Sequence, residues 1–511
     1  MKIGRPVFKG TGVRLRRGWS PPENGSWPRF PLPRWIERVT IRTGAPSSMV
    51  SDAGRRNVLA AAVLGSSLAP FMVSALVVAL PAIADEFSAD AFSLGWVTSA
   101  FFISAAVFLV PLGRIADLHG AKKVFLAGLG VYLASSVLCI LAPSLFLLVA
   151  ARFVTGLGGG MIFGTSIALL SLAFPESERG RAIGINVTGM FVGFLLGFLL
   201  GGLLTYYVGW RSIFLATIPV EILAMGLILL RVKGECALSR SRELDLPGLV
   251  LYSLSILLLM VGFSSLPRIA GSAFVAGGGL TLGLFILRER RTEKPAVDLR
   301  LFTKNPVFAR ASLTALLFNT SNFAVIFLLS LYLQDIRGFD ARYSGTVLLT
   351  LVIFMALFSP YAGRLSDRRA PRAVIGTGII LSTAGLLVLL SLGEDSPLSA
   401  IVIALAIMGT GLALFQSPLL RTLVSSVPRD RYGLASGFAE TMRLVGMTVS
   451  IAIATLVFGF TIGGVHVSPE IAPAFIAAMR LIFGIFLGFS LAALAVSLLL
   501  KRGSADPESR A

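Results

Sequence analysis

Histidine and cysteine are nearly missing from this chain of 511 residues, with two of each. Cys139 sits in an apolar run and Cys236 in a basic loop, which gives neither a disulfide framework nor a set of metal ligands. With only His119 and His466, a zinc or haem centre is not expected, and no metal or cofactor is assigned. Charge is also scarce, at 14% of residues, too little to cover the core of a soluble protein of this length. The phosphate-cradling loop G-x-x-x-x-G-K-[ST] does not occur, which points to an ion gradient rather than ATP as the energy source. No paired catalytic carboxylates, histidine cluster or nucleophile–base set stands out, so an enzyme is not expected.

Apolar sequence is what the chain has in excess: 55% of residues are hydrophobic and the mean hydropathy is +0.84. The charges fall between apolar runs of the length that crosses a hydrocarbon core about 30 Å thick. Reading those runs gives an all-α polytopic membrane protein with spans near 58–82, 93–113, 123–143, 146–172, 183–207, 211–231, 247–266, 271–287, 308–333, 344–366, 373–393, 398–425, 433–462 and 472–500. The 53 glycines fit this class, because small residues let membrane helices approach closely.

The net charge of +19 is distributed as a topology signal rather than a nucleic-acid footprint, and no nucleic acid is expected as partner. One set of loops carries Arg55/Arg56, Lys122/Lys123, Arg179/Arg181, Arg240/Arg242, Arg288 to Lys304, Arg364 to Arg372, Arg429/Arg431 and Lys501/Arg502. The alternate loops carry Asp85/Glu86/Asp90, Glu394/Asp395 and His466/Glu470, with only 335–342 mixed. Lys and Arg gather on the cytoplasmic side, so both termini are expected inside a cell membrane, with an even number of spans. Dropping any one span reverses the alternation downstream.

Residues 1–48 are different in kind, rich in Arg and Pro and without the apolar core of a signal peptide. They read as a basic arm on anionic lipid, an unfolded extension, or sequence upstream of a start at Met49. The expected organisation is then this extension, an amino-terminal six-helix bundle (49–232), two inserted helices with basic loops (233–307), a carboxy-terminal six-helix bundle (308–500) and a cytoplasmic tail (501–511).

A repeat supports that division. Gly113-Arg114-Ile115-Ala116-Asp117 follows the second span, and Gly363-Arg364-Leu365-Ser366-Asp367-Arg368 follows the tenth. Each is expected at a cytoplasmic turn, with the glycine allowing the chain to bend and the aspartate latching onto basic groups or a helix N-terminus of the other half. Twice, at equivalent places, this is the trace of a duplicated bundle split by two extra helices.

These residues resemble the major facilitator superfamily, in particular its 14-helix drug:proton antiporter branch. Further marks of the same resemblance are Val78-Ala79-Leu80-Pro81, Trp96, Arg152-Phe153-Val154-Thr155-Gly156, Trp210-Arg211 with Pro219, Tyr332-Leu333-Gln334, and Gly433 to Gly437 with Arg443 and Gly446. In the fifth span, Gly193, Gly197, Gly201 and Gly202 resemble the antiporter signature, with Phe198 where that signature has proline. This glycine face reads either as a bending gate helix or as plain helix packing. The branch usually places an acid and an asparagine in the first span; Met72 and Val77 stand there, and only Ser74 keeps a polar group.

Charges at membrane depth are costly and tend to face a bundle interior. They are Arg152, Glu221, Arg421, Glu440, Arg443 and Arg480. Glu440 and Arg443 are three apart and can pair. Glu221 has no sequence-local charge partner and is a candidate proton carrier. The resemblance links Arg152 to proton coupling, and Arg421 can snorkel. Ser74, Asn319, Asn322 and Gln416 are candidates for a substrate cavity, each also able to bond between helices. The resemblance implies a monomeric secondary transporter in the lipid bilayer that moves a small organic molecule by alternating access, as multidrug-type efflux coupled to protons. The alternatives are a transporter of organic anions without proton antiport, and a non-transporting sensor or assembly partner that kept the fold.

Overall fold

The computed structural model describes residues 52–231, 245–266, 269–292, 303–368, 370–427, 432–463 and 467–500. The sequence expectations for residues 1–48 and 501–511, and for most of the loops on either side of the inserted helices, lie outside the described residues. Among those described there are no strands, and fourteen helices are long and apolar enough to cross a membrane. The amino-terminal six are α1 (Asp52–Phe87), α2 (Ala91–His119), α3 (Ala121–Ile140), α4 (Leu145–Ala173), α5 (Glu176–Tyr207) and α6 (Ser212–Arg231). The inserted pair is α7 (Leu246–Ser265) and α8 (Ile269–Arg291). The last six are α9 (Pro306–Leu331), α10 (Ala341–Arg368), α11 (Pro371–Leu390), α12 (Leu398–Ser425), α13 (Tyr432–Thr461) and α14 (Ala472–Leu498). All the expected spans are found. An up-and-down path through fourteen helices brings the start of α1 and the end of α14 to one end of the molecule, here called the basic end; the opposite end is called outer from the expected charge bias alone.

Polar caps fix where several helices begin. Asp90 accepts from the Ser93 amide (2.9 Å) ahead of α2, Asp245 from Gly248 (3.1 Å) ahead of α7, and Asn305 from Phe308 (3.1 Å) ahead of α9. Each satisfies an amide that the first helical turn leaves open. At its far end α9 runs into a π turn, Tyr332–Ile336.

The duplicated sequence motif has a structural counterpart in which helices pack. In the first six, α1 lies on α5, α2 on α4, and α3 on α4 and α6. In the last six, α9 lies on α13, α10 on α12, and α11 on α12 and α14. Two seams join the halves, α2 against α13 and α5 against α10, and these exchange under the same correspondence. This is the relation expected of two repeated bundles. The outer turns of both halves are also held alike. Arg211 donates from Nε to the Ile140 carbonyl (3.1 Å) and from Nη2 to Ala142 (3.1 Å), while Arg480 donates to the Leu392 carbonyl from Nε (3.1 Å) and Nη2 (2.9 Å). Arg480 therefore reaches out of the apolar slab to a helix-end carbonyl, as a long cationic side chain can.

The inserted hairpin closes at the basic end through Arg288 and Asp245 (2.8 Å). Its first helix, α7, packs on both α2 and α13 and so covers one of the two seams. Consecutive residues bond to opposite halves: Ser253 donates to the Val107 carbonyl of α2 (3.1 Å), and the Tyr252 hydroxyl meets that of Thr441 on α13 (3.4 Å).

One expectation needs correction. The two Gly-Arg-x-x-Asp segments are not turns: α2 continues through Gly113 to His119, and α10 continues through Gly363 to Arg368. The first bend is made instead by Gly120, whose φ of 101° suits a residue without a β-carbon. Nothing in the motif breaks a helix, and its polar residues extend the helix beyond the apolar slab.

Candidate functional site

The seam is where the two halves meet, and its outer end is tightly joined. Ser330 of α9 donates to the Val77 carbonyl of α1 at 2.7 Å, and Gln334 donates from Nε2 to the Val78 carbonyl at 3.0 Å and to Ser330 Oγ at 3.0 Å. Val77 is available because Pro81, one turn later, has no amide hydrogen to give it. Between α5 and α10, a β-carbon added at Gly202 would stand 2.7 Å from the Ala341 carbonyl oxygen, and one at Gly345 would stand 2.6 Å from that of Phe198. Between α2 and α13, Gly95 lies directly against Thr455. Nearer mid-depth, the Phe102 and Phe323 rings meet edge to face at 5.0 Å. The hydrogen bonds and close glycine approaches described between α1–α6 and α9–α14 cluster toward the outer end.

Toward the basic end, α13 carries Glu440 and Arg443 as a two-point ion pair, with Arg443 Nε and Nη2 donating to the two carboxylate oxygens. Their side chains are 26% and 27% exposed, so the pair is only half-enclosed by protein. The pairing expected from the spacing is present.

The glycine face of α5 divides between two partners. Gly193, Gly197 and Gly201 lie against Ser67, Phe71 and Ala75 of α1, inside the amino-terminal half, whereas Gly202 faces α10 across the seam. Ser74 belongs to the same α1–α5 contact, where its hydroxyl donates to the Phe194 carbonyl at 2.8 Å. Asn319 and Asn322 are turned into the carboxy-terminal half. Asn319 donates to the Ala315 carbonyl (2.7 Å), and Asn322 donates to Phe318 (2.8 Å) while accepting from Ser382 of α11. Gln416 is half-buried on α12. The cavity candidates are therefore not gathered into one cluster.

Of the motif residues near the basic end, Arg364 is exposed and Arg114 half-buried. The side chains of Asp117, Asp367 and Arg368 lie outside the described residues.

Arg152 and Glu221 are deep inside the amino-terminal half, 1% and 0% exposed. Arg152 donates from Nε to the Val97 carbonyl (3.3 Å), and its guanidinium lies 5.0 Å from the centre of the Phe101 ring. Glu221 accepts from the Ser136 hydroxyl of α3 at 2.9 Å, and Ser136 also meets Thr217 at 3.4 Å. Thr217 lies one turn before Glu221 on the same helix face, so a polar neighbour was visible at that spacing. Ser136 and Tyr132, on a different helix, gave no such signal. Met72 and Val77, in the places of the missing polar residues of the first span, are buried among apolar neighbours.

The sequence model of the Major Facilitator Superfamily matches residues 62–451. A multidrug resistance protein, Stp, of Mycobacterium tuberculosis (strain CDC 1551 / Oshkosh) is 32% identical over 407 residues, covering 78% of this chain and 75% of that protein. A riboflavin transporter, RibZ, of Clostridioides difficile is 28% identical over 388 residues, covering 75% and 83%. Among solved structures, a bacterial homolog of the human lysosomal transporter Spinster superposes with a TM-score of 0.66 at 18% identity, covering 88% of this chain and 97% of that one.

Proposed function

Because the chain belongs to the Major Facilitator Superfamily, we propose that this multi-pass membrane transporter exports a small amphiphilic organic compound, with protons moving inward in exchange. The observation that carries the reading is the asymmetry of the seam. The halves are bonded to each other at the outer end by Ser330 and Gln334, while the Glu440–Arg443 pair toward the basic end is left half-buried. The Lys and Arg bias supports a cytoplasmic basic end. In this arrangement a molecule in the cytoplasm or the inner leaflet reaches the seam while the outer end is shut. Rocking of one half against the other then breaks the α1–α9 bonds and opens the outer end.

The substrate class is supported by the name of the relative Stp, a multidrug resistance protein. Ion coupling is supported by charged groups within the bundle and by the missing ATP loop. The chain works as a monomer, since each monomer contains both halves.

Purified protein in liposomes tests this directly, using a panel of amphiphilic cations, anions and neutral dyes with and without an imposed pH gradient. Export accelerated by the gradient is expected for at least one compound. Export that ignores the gradient would remove the proton and favour transport of an organic anion alone. No flux for any compound would favour a non-transporting sensor built on the same fold.

A further inference from the structure

The two seams between the halves differ toward the basic end. Along the α2–α13 seam the facing residues stay buried: Gly95, Ala106 and Leu109 on one helix, and Thr455, Thr448 and Thr441 on the other. The inserted helix α7 packs on both of these helices, and its Ser253 bonds to the Val107 carbonyl (3.1 Å) in the basic-end half of α2.

The α5–α10 seam is close only at its outer end. There a β-carbon at Gly202 would stand 2.7 Å from the Ala341 carbonyl oxygen, and one at Gly345 would stand 2.6 Å from that of Phe198. Eighteen residues make about five helical turns, so Gly184 lies on the same face of α5 as Gly202 but near its basic end. A β-carbon at Gly184 meets nothing within 4 Å among the described residues. Between the two glycines this face passes from buried at Phe198, through half-buried at Leu195 and Phe191, to exposed at Thr188. The facing stripe of α10 follows the same course. Gly345 and Val352 are buried, Ala356 and Ser359 half-buried, and Pro360 exposed. The main packing partners of α5 are α1 and α10, and those of α10 are α12 and α5; the inserted hairpin is not among them. The two helices therefore touch at the outer end and part toward the basic end.

The opening faces lipid. Gly184 is about 5 Å along the helix from the exposed Arg181, and Pro360 is about 6 Å from the exposed Arg364. Long cationic side chains reach to the headgroups, so the mouth begins just inside that layer. Its walls at Phe191, Leu195 and Ala356 are apolar.

We propose that the α5–α10 seam is a side entrance for an amphiphile dissolved in the leaflet at the basic end, and that α7 closes the α2–α13 seam to such entry. The proposal rests on the transporter reading above and deepens it, since the substrate becomes a compound that partitions into the bilayer. Such a molecule already lies with its apolar body at the depth of Phe191 and Leu195 and its polar end at the depth of Arg181 and Arg364. It passes between the helices without giving up the orientation that lipid imposes.

The test uses the full chain in liposomes, with Cys139 and Cys236 replaced by Ala and one cysteine introduced at a time. Gly184→Cys is expected to react with N-ethylmaleimide about tenfold faster than Thr441→Cys at the covered seam, because access governs the rate. Rhodamine 6G as a cationic probe, or anilinonaphthalene sulfonate as an anionic one, is expected to slow the reaction at Gly184→Cys and not at Leu230→Cys, a position on α6 that is 78% exposed. Modifying Gly184→Cys with the bulky pyrene maleimide is expected to abolish most export, whereas the same adduct at Leu230→Cys leaves it. Gly184→Ala, with unchanged melting temperature and export, shows that a β-carbon alone does no harm. Equal reaction rates at Gly184→Cys and Thr441→Cys, protection by neither probe or equally at Gly184→Cys and Leu230→Cys, or full export by the Gly184→Cys adduct overturns the proposal. If the probes protect Gly184→Cys while the unmodified protein exports no compound, the transporter reading fails and the side entrance stands.

Discussion

Ser330 of α9 holds the Val77 carbonyl of α1 at 2.7 Å, an acceptor left open within its own helix by Pro81. The bond joins the two halves at the outer end and must break each time that end opens. A neutral hydrogen bond contributes about 1 kcal/mol net, roughly a fivefold bias in a two-state equilibrium. Ser330→Ala is therefore expected to shift the resting population toward the outward-open state by about that factor, and Ser330→Ala with Gln334→Ala by more. Labelling of a single cysteine introduced as Thr455→Cys, a position buried against Gly95 at the outer end of the seam, by a membrane-impermeant thiol reagent, compared in the two backgrounds, measures the shift. Equal labelling would mean that the bond does not bias the gate. Pro81→Ala, which returns an amide to α1, should act in the same direction while leaving Ser330 in place.

The α7 helix meets the two halves unequally. Ser253 bonds a backbone carbonyl of α2 at 3.1 Å, while Tyr252 meets a hydroxyl of α13 at 3.4 Å. The shorter bond, to a fixed main-chain acceptor, leads us to expect that α7 moves with α2 and that the α13 contact slides during the cycle. A short bismaleimide linking Tyr252→Cys to Thr441→Cys is expected to stop transport. The same reagent linking Ser253→Cys to Val107→Cys is expected to leave most of it. Loss of transport in both would show that α7 must part from each half in turn.

Arg211 gathers three acceptors at the outer end of the amino-terminal half: Glu86 at 2.6 Å, the Ile140 carbonyl at 3.1 Å and the Ala142 carbonyl at 3.1 Å. Its ion pair is more than a third exposed on both sides, so the Coulomb part is modest. The two carbonyl bonds close the α3–α4 turn and are the larger contribution. Arg211→Ala should lower the melting temperature in detergent by several degrees. Arg211→Lys should recover little, because an ammonium lacks the planar fork that meets three acceptors at once. Full recovery by Lys would assign the effect to charge alone.

The number of spans was legible before the fold was seen. Apolar runs of membrane length, a loop-charge bias and a repeated motif are local properties of the chain. The orientation of each helix about its own axis was not legible. A helix apolar on all sides carries no periodic mark of which face meets a neighbour. Ser74, Asn319 and Asn322 therefore read as cavity residues, whereas each is bonded to backbone or to another helix within its own half. Gly120, not Gly113, makes the bend after α2 for a related reason. A glycine at a helix end and one in its last turns look alike in sequence, and only the φ of 101° at Gly120 separates them. The Val77–Ser330 bond lies between these cases. Pro81 announced a free carbonyl, but the sequence did not say which residue would take it.

The Glu440–Arg443 pair on α13 distinguishes a group that maintains the fold from one that serves transport. Its side chains are about a quarter exposed, and both guanidinium bonds end on the same carboxylate. Removing one partner leaves a charge without compensation in a site that solvent only partly reaches, and this is more damaging than removing both. Glu440→Gln alone is thus expected to lower the melting temperature more than Glu440→Gln combined with Arg443→Met. If the pair only supports the helix, transport in the double variant recovers along with stability. If its charges take part in the cycle, stability returns and transport does not, and that is the outcome expected for a half-buried ion pair toward the end opposite the closed gate. Measuring melting temperature and liposomal export on the same four proteins (wild type, two single variants and the double) separates the two contributions.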